Sequence, residues 1–313
     1  MINVRLLGTG GGMPMPNRSL SATLLSYRGR KILIDCGEGT QVSMRIANTG
    51  FKAIDVICIT HAHGDHIVGL PGLLATIGNS GRTEPLVIIG PEGIEHIVNC
   101  LRCIAYYLPY EVFIIENPKK VGFRLIGETL KVVDEREDIS LTTLKLDHSA
   151  SCLGYSIYVK RIAKFNVKKA IENSVPKLLW SKLQKSDYVM YEGKQYTQEM
   201  VLGDERKGIK LSLITDSRPL DIIPEFINES DLFICEGTYG SNHDIEKAVK
   251  NKHMTFNEAA TLAAKGNVDK LVLTHFSPAM LDANEYIENA TKVFKNTIIG
   301  EDRMELDIKF SDE

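Results

Sequence analysis

Directly after the apolar run Val56–Ile59, the chain places four metal-competent side chains within six residues, in Thr60-His61-Ala62-His63-Gly64-Asp65-His66. Packing does not ask for such density at a strand end. Neutral imidazole is available near pH 7 and is the commonest metal ligand among side chains, so the cluster points to a metal. Any fold this sequence adopts must leave that strand end open to further ligands.

The same local pattern, an apolar run ending in a ligand-type residue, returns three times. It appears in Leu144-Lys145-Leu146-Asp147-His148, Leu213-Ile214-Thr215-Asp216 and Leu271-Val272-Leu273-Thr274-His275. In layered α/β sheets the carboxyl ends of strands form the rim where sites assemble, so His148, Asp216 and His275 are expected to join the first cluster. The set then holds five histidines and two aspartates, enough for two metals sharing one carboxylate and one water. One zinc would leave several ligands unexplained. Nitrogen and carboxylate donors at a hydrolytic site suit zinc, with manganese and iron left open by sequence.

Short β-rich runs alternate with helical patterns along the chain, which predicts α/β layering. Strands are expected at Asn3–Leu7, Ala22–Tyr27, Lys31–Ile34, Val56–Thr60, Leu86–Ile89, Leu141–Leu146, Tyr155–Val159, Leu211–Thr215, Leu232–Cys235 and Leu271–Thr274. Helices are expected at Glu38–Asn48, His66–Ile77, Glu92–Cys103, Ile245–Lys250, Phe256–Ala264 and Ala283–Phe294, with Thr255 and Glu258 spaced as a capping box.

A hydrophobic content of 43% and a charged content of 25% place the chain among ordinary globular proteins. The start, Met1 to Leu6, reads as a strand rather than a signal peptide, and no apolar run reaches membrane-spanning length. Six scattered cysteines fit a reducing compartment, so the expected location is cytoplasmic, without membrane association. Cys100 and Cys103 have metal or redox spacing but no second pair, and are read as buried structural thiols.

A net charge of −3 does not suggest a nucleic-acid partner, but its distribution is uneven. From Tyr155 to Gln195 nine Lys and Arg stand against three Asp and Glu, around the only tryptophan, Trp180. The pieces read as too short and polar for a core of their own, which suggests an inserted arm over residues 159–195 within one domain spanning 1–313. The alternative is a solvated two-helix excursion with incidental lysines.

His-x-His-x-Asp-His after a strand, with the later His, Asp and His, resembles the metallo-β-lactamase superfamily. That resemblance implies an α/β fold, an αβ/βα four-layer sandwich, and a water-activating site without fixing a substrate. Further stretches make the chain similar from end to end to the ribonuclease Z family: Ile34-Asp35-Cys36-Gly37-Glu38-Gly39-Thr40-Gln41, Asp216 to Pro219, Glu236-Gly237-Thr238-Tyr239 and His253-Met254-Thr255. The basic arm corresponds in position to that family's exosite. Two departures stand out: no Gly-Pro pair near Ser174-Val175-Pro176-Lys177, and Pro16 and Ser19 where the family's N-terminal loop has Lys and Asn.

The resemblance implies a zinc-dependent endoribonuclease that removes the 3′ trailer from precursor tRNA, leaving a 3′-hydroxyl on the tRNA and a 5′-phosphate on the trailer. Of two Zn²⁺ per subunit, His61, His63, His148 and Asp216 would hold one, and Asp65, His66, Asp216 and His275 the other. Asp65 would also orient the nucleophile. His253, supported by Glu236, would protonate the leaving oxygen, and Asp35 would support the histidines from behind. Arg218 is left between a phosphate contact and a pairing with an acidic neighbour. The family also implies a homodimer in which the arm of one subunit holds RNA cut by the other. The competing readings are a small-substrate phosphodiesterase or arylsulfatase-like hydrolase on the same fold, and a non-catalytic RNA-binding protein that uses metal only to fold.

Overall fold

A computed structural model describes residues 1–105 and 107–311. The chain divides into two compact units, one made of 1–159 with 209–309, the other of 160–208 with the terminal residues from Phe310.

In the larger unit a first sheet begins with β1 (Ile2–Gly8), β2 (Ala22–Tyr27), β3 (Arg30–Ile34), β4 (Ile54–Cys58), β5 (Leu86–Gly90) and β6 (Val112–Glu116). The chain then builds a second sheet with β7 (Lys120–Ile126), β8 (Thr129–Val133), β9 (Ile139–Lys145) and β10 (Leu153–Arg161). After a hairpin in the smaller unit, β11 (Tyr188–Tyr191) and β12 (Lys194–Thr197), the second sheet resumes. It adds β13 (Arg206–Ile214), β14 (Leu232–Glu236), β15 (Leu271–Thr274) and β16 (Thr297–Ile299), and β17 (Glu305–Ile308) returns to the edge of the first sheet. The strand orders are β17-β1-β2-β3-β4-β5-β6 and β16-β15-β14-β13-β10-β9-β7-β8.

Each sheet contains a parallel block, β3, β4, β5 and β6 in one and β13, β14, β15 and β16 in the other, while β9, which leads to His148, is antiparallel to its neighbours. Parallel strands are covered on both faces and read as continuous apolar runs. Accordingly every residue of β4, β5 and β14 is buried. One core lies between the first sheet and its helices, through Leu33, Ile57, Met44, Leu73 and Val98, and another between the second sheet and helices that carry Phe256, Ala260 and Ala263. The sheets meet face to face, where Tyr155 of β10 donates from its hydroxyl to Ile59 O at 2.6 Å. The result is the four-layer α/β sandwich.

The helices are α1 (Thr40–Ile46), α2 (Gly64–Ile67), α3 (Leu70–Asn79), α4 (Ile94–Arg102), α5 (Val167–Glu172), α6 (Trp180–Leu183), α7 (Ile223–Phe226), α8 (Ile245–Asn251), α9 (Phe256–Lys265) and α10 (Glu288–Thr291). The helix expected over His66–Ile77 is broken in two. Gly69 sits so close to Gly37 that a Cβ would fall 2.1 Å from Gly37 O, and Pro71 in the first turn of α3 has no N–H to continue an earlier helix. The helix expected over Ala283–Phe294 is a 3₁₀ turn, Ala283–Tyr286, followed by the short α10. At α9 the expected capping box is complete in both directions.

Cys100 and Cys103 are exposed, against expectation. The side of α4 that faces the core is set by Ile94 and Val98, which turns positions 100 and 103 outward, with Cys100 Sγ 3.7 Å from His96 Nε2. The other four cysteines are buried.

The smaller unit has its own core, which also corrects the sequence reading. Ala170, Val175, Leu179, Leu183, Tyr196 and Val201 are buried together, with Phe165 and Trp180 against them, and Trp180 Nε1 donates to Val175 O at 3.0 Å. Tyr196 and Val201 lie beyond Gln195, where the basic stretch ends, so a boundary drawn by charge left two of these six residues out. Lys164, Lys168, Lys177, Lys182, Lys185 and Lys194 stay exposed around that core.

One buried ion cluster makes a stability prediction. Asp55 is 1% exposed and accepts from Arg30 Nε at 2.7 Å and from the fully buried Arg82 Nη2 at 3.0 Å. Removing one member of such a group strands uncompensated charge, so Asp55→Ala is expected to cost about 3–5 kcal/mol. Equilibrium urea unfolding measures this, and a loss below about 1 kcal/mol would show that the two guanidinium groups are satisfied by backbone carbonyls alone.

Candidate active site

The site forms where strands of both sheets end. Asp35 follows β3, His61 to His66 follow β4, His148 follows β9, Asp216 follows β13, Glu236 closes β14 and His275 follows β15. Asp35, Asp216 and His275 have positive φ of 61°, 38° and 57°. Non-glycine residues reach that region at a cost, and such strain concentrates at functional sites. Each of these three residues leaves its strand by an abrupt turn.

The predicted ligands converge in two sets. In the first, His61 Nε2 and His63 Nδ1 are 3.0 Å apart, and His63 Nδ1 and His148 Nε2 are 3.2 Å apart. Asp216 Oδ2 lies 3.6 Å from His61 Nε2 and 3.7 Å from His148 Nε2. In the second, His66 Nε2 and His275 Nε2 are 3.1 Å apart, with Asp65 Oδ2 at 3.4 Å and 3.3 Å from them. Asp216 Oδ1 completes that set at 3.4 Å and 3.2 Å from the same two nitrogens. Four donors about 2.0–2.1 Å from a tetrahedral metal lie roughly 3.3 Å from one another. The separations above, 3.0–3.7 Å, are near that value, and Asp216 turns Oδ2 to the first set and Oδ1 to His66 and His275 of the second. The donor chemistry fits a divalent metal.

The remaining ring nitrogens explain why the inward ones carry lone pairs. The Lys252 carbonyl, which can only accept, lies 3.1 Å from His148 Nδ1, and Asp35 Oδ2 lies 2.8 Å from His66 Nδ1. Thr60 Oγ1 donates to Asp35 and so accepts from His61 Nδ1 at 3.1 Å. Thr238 Oγ1 likewise donates to Glu236 Oε2 at 2.7 Å and accepts from His275 Nδ1 at 3.1 Å. With Nδ1 protonated, Nε2 of His61, His66, His148 and His275 is free to ligate, whereas His63 turns Nδ1 inward.

Charge follows the same plan. Burial lowers His61 to about 2 and also lowers His148, which keeps both rings neutral. Burial alone would raise Asp216, but the surrounding His275, His66 and His61 hold it well below the carboxylate range. Burial would lower His66, yet Asp216 and Asp35 raise it, so acid sets a proton against a metal on that ring.

Beside the two sets, His253 Nδ1 lies 3.2 Å from Glu236 Oε1 and 3.9 Å from Asp216 Oδ2. Glu236 is fully buried and fixed by the Ser217 N–H at 2.6 Å and the Met254 N–H at 3.0 Å. Although burial lowers the His253 pKa, the Glu236 carboxylate outweighs it and raises the ring to about 9. Asp216, His253 and His275 also lie close enough to form a third group of metal-competent donors.

An opening of about 370 Å³ gives access, lined by Gly12, His63, Asp65, His148, Ser149, Asp216, Lys250, Asn251, Lys252, His253 and His275. The Gly-rich turn is part of this wall. Gly12 N donates to Asp65 Oδ2 at 2.6 Å, and a Cβ on Gly11 would fall 2.4 Å from the His275 ring. Gly11→Ala is therefore expected to push His275 out of its set and lower metal content, measurable by elemental analysis; unchanged content would show that the turn yields instead.

Arg218 pairs through both guanidinium nitrogens with Glu258, and donates to the His253 carbonyl. The acidic-neighbour reading therefore holds. Sequence reasoning did not assign roles to Thr60, Thr238, Ser217 or Lys252. Only a hydroxyl or carbonyl beside a ligand could have signalled them.

Residues 2–182 match the family model described as Anti-Pycsar protein Apyc1. That stretch contains the first cluster and His148 but ends before Asp216, Glu236, His253 and His275. A ribonuclease Z from Clostridium beijerinckii is 62% identical over 314 residues, covering 100% of both chains. The chain belongs to the ribonuclease Z family. A ribonuclease Z from Clostridioides difficile is 55% identical over 312 residues, again covering 100% of both. Among solved structures, the short form of human tRNase Z superposes with a TM-score of 0.68 at 25% identity, covering 98% of this chain and 99% of that one. The metallo-β-lactamase fold protein YhfI of Bacillus subtilis gives a TM-score of 0.67 at 18% identity, covering 98% and 100%, which shows the shared fold. The similarity to ribonuclease Z thus spans the whole chain, the stretch beyond residue 182 included.

Proposed function

We propose that this chain is a zinc-dependent endoribonuclease that removes the 3′ trailer from precursor tRNA, leaving a 3′-hydroxyl on the tRNA and a 5′-phosphate on the trailer. Full-length identity to ribonuclease Z sequences carries this reading. His61, His63, His148 and Asp216 hold one ion, and Asp65, His66, His275 and Asp216 the other. Bound there, two Zn²⁺ ions supply an activated water and offset charge on the phosphate.

The chain's own groups do the rest. Asp65, fixed by the Gly12 N–H, orients the attacking water. As the new P–O bond forms and the bond from phosphorus to the 3′-oxygen breaks, His253 gives its proton to that oxygen. Glu236 steadies the His253 Nδ1–H side and the positive charge the ring carries beforehand.

The lysine-rich unit from Lys160 to Gly208 serves as the tRNA exosite, reading backbone and shape rather than bases. Replacing Lys177, Lys182 and Lys185 with alanine is expected to raise KM for precursor tRNA and to flatten its salt dependence by about one log–log unit per lost phosphate contact. Hydrolysis of a small phosphodiester stays as in the parent; an unchanged salt slope would remove these lysines from the interface.

The reading includes a cytoplasmic location and a homodimer. No helix among the described residues is long and apolar enough to cross a membrane. On α1, Val42 and Ile46 are 58% and 65% exposed one turn apart, an apolar stripe suited to a second copy. Light scattering on Val42→Asp with Ile46→Asp tests this.

The deciding experiment incubates zinc-loaded protein with a trailer-bearing precursor tRNA and maps both new ends. A 3′-hydroxyl after the discriminator base with a 5′-phosphate on the trailer supports the reading. Intact RNA with a hydrolysed small phosphodiester would favour the small-substrate enzyme, and binding without any cleavage the non-catalytic one.

A further inference from the structure

Lys252 ends α8 in the left-handed conformation, φ 57° and ψ 51°, a place more often taken by glycine. It contacts the site in three ways. Its carbonyl faces His148 Nδ1 at 3.1 Å, its ammonium group donates to Asp147 Oδ1 at 2.6 Å, and it immediately precedes His253. Asp147 is itself an anchored partner: its N–H donates to Ser217 Oγ at 3.2 Å and its carbonyl accepts from Arg218 N at 3.1 Å, beside Asp216. The ion pair thus ties the loop after β9 and the loop between α8 and α9 to the loop after β13.

We propose that Lys252 is a positioning residue whose ion pair with Asp147 sets the His148 imidazole and the His253 proton donor together. The roles of His148 and His253 rest on the function proposed above. Main-chain bonds from Lys252 N to Val249 O at 3.3 Å and from His253 N to Ala248 O at 2.9 Å close the turn. A side chain able only to fill space at position 252 would therefore remove the tie that holds this turn against the loop after β9. The carbonyl would then drift from His148 Nδ1, and His253 would drift from Glu236. An outward drift of one loop therefore disturbs water activation and proton donation in the same event.

The test compares Asp147→Asn, Lys252→Met and the double variant, with Lys252→Arg as the conservative rescue, all metal-loaded. Two readouts are taken: kcat and KM on precursor tRNA, and the NMR signal of the hydrogen-bonded His148 Nδ1–H. Each single variant is expected to lower kcat about tenfold with KM unchanged, the scale typical of groups that orient a metal ligand. The double variant is expected to be no worse than the poorer single, because both break one interaction. Both singles should shift or lose the His148 signal, and Lys252→Arg should restore kcat and signal. An unchanged signal in either single variant, or a double-variant loss equal to the product of the singles, overturns the proposal. Should the parent protein fail to cut precursor tRNA, the function reading falls, and the His148 signal alone decides this one.

Discussion

Replacing His253 with alanine is expected to lower kcat for precursor tRNA cleavage by about 10²–10⁴-fold while metal content stays at the parent level. The 3′-oxygen is a poor leaving group unless protonated as its bond to phosphorus breaks, and the proposed function assigns that proton to His253. Its ring is raised to about 9 by the buried Glu236, so it is protonated across the neutral range and loses the proton as pH rises through about 9. Burial alone would have had the opposite effect. Glu236→Gln should reproduce much of the loss, because it removes the charge that favours the protonated ring while keeping the shape. Metal content separates this outcome from a general collapse of the site. A His253→Ala protein that cuts at the parent rate would move proton donation to another group.

Asp216→Ala is expected to lower both metal content and activity, the latter by on the order of 10²-fold or more, since even groups that only orient a ligand are worth 10–100-fold. The reason is geometric. Asp216 Oδ2 stands 3.6–3.7 Å from two nitrogens of one set, and Oδ1 3.2–3.4 Å from two of the other. No other residue contributes to both sets through separate oxygens. On the proposed assignment the loss of this one side chain would open both sets, whereas His63→Ala should weaken only the set that contains it. Elemental analysis after dialysis distinguishes the two variants. Parent-level metal in Asp216→Ala would sink the shared-carboxylate assignment.

Much of the site was legible in the sequence because its information is local. A strand that ends in His-x-His-x-Asp-His announces a cluster of metal-competent side chains, and His148, Asp216 and His275 each close an apolar run of the same kind and converge on it. The sheet alternation was readable for the same reason: side-chain periodicity is imposed by backbone geometry over a few residues. The capping box at Thr255 and Glu258 needs only a spacing of three. Where local signals were weak the reading failed. Strands β7 and β8, with mixed patterns near a sheet edge, were not expected, nor was β6 despite its apolar run Val112-Phe113-Ile114-Ile115, and the small core of the 160–208 unit was hidden by its lysines.

The sequence by itself determined which residues can ligate, where each leaves its strand and the family to which they belong. Only the tertiary structure decided which oxygen of Asp216 faces which set, which ring nitrogen of each histidine turns inward, and that Arg218 pairs with Glu258, forty residues away. A tautomer is set by whatever acceptor the fold brings to the other nitrogen. For His148 that acceptor is a backbone carbonyl 104 residues away. Every residue carries such a carbonyl, so no residue type marks it in advance; chain convergence alone selects it.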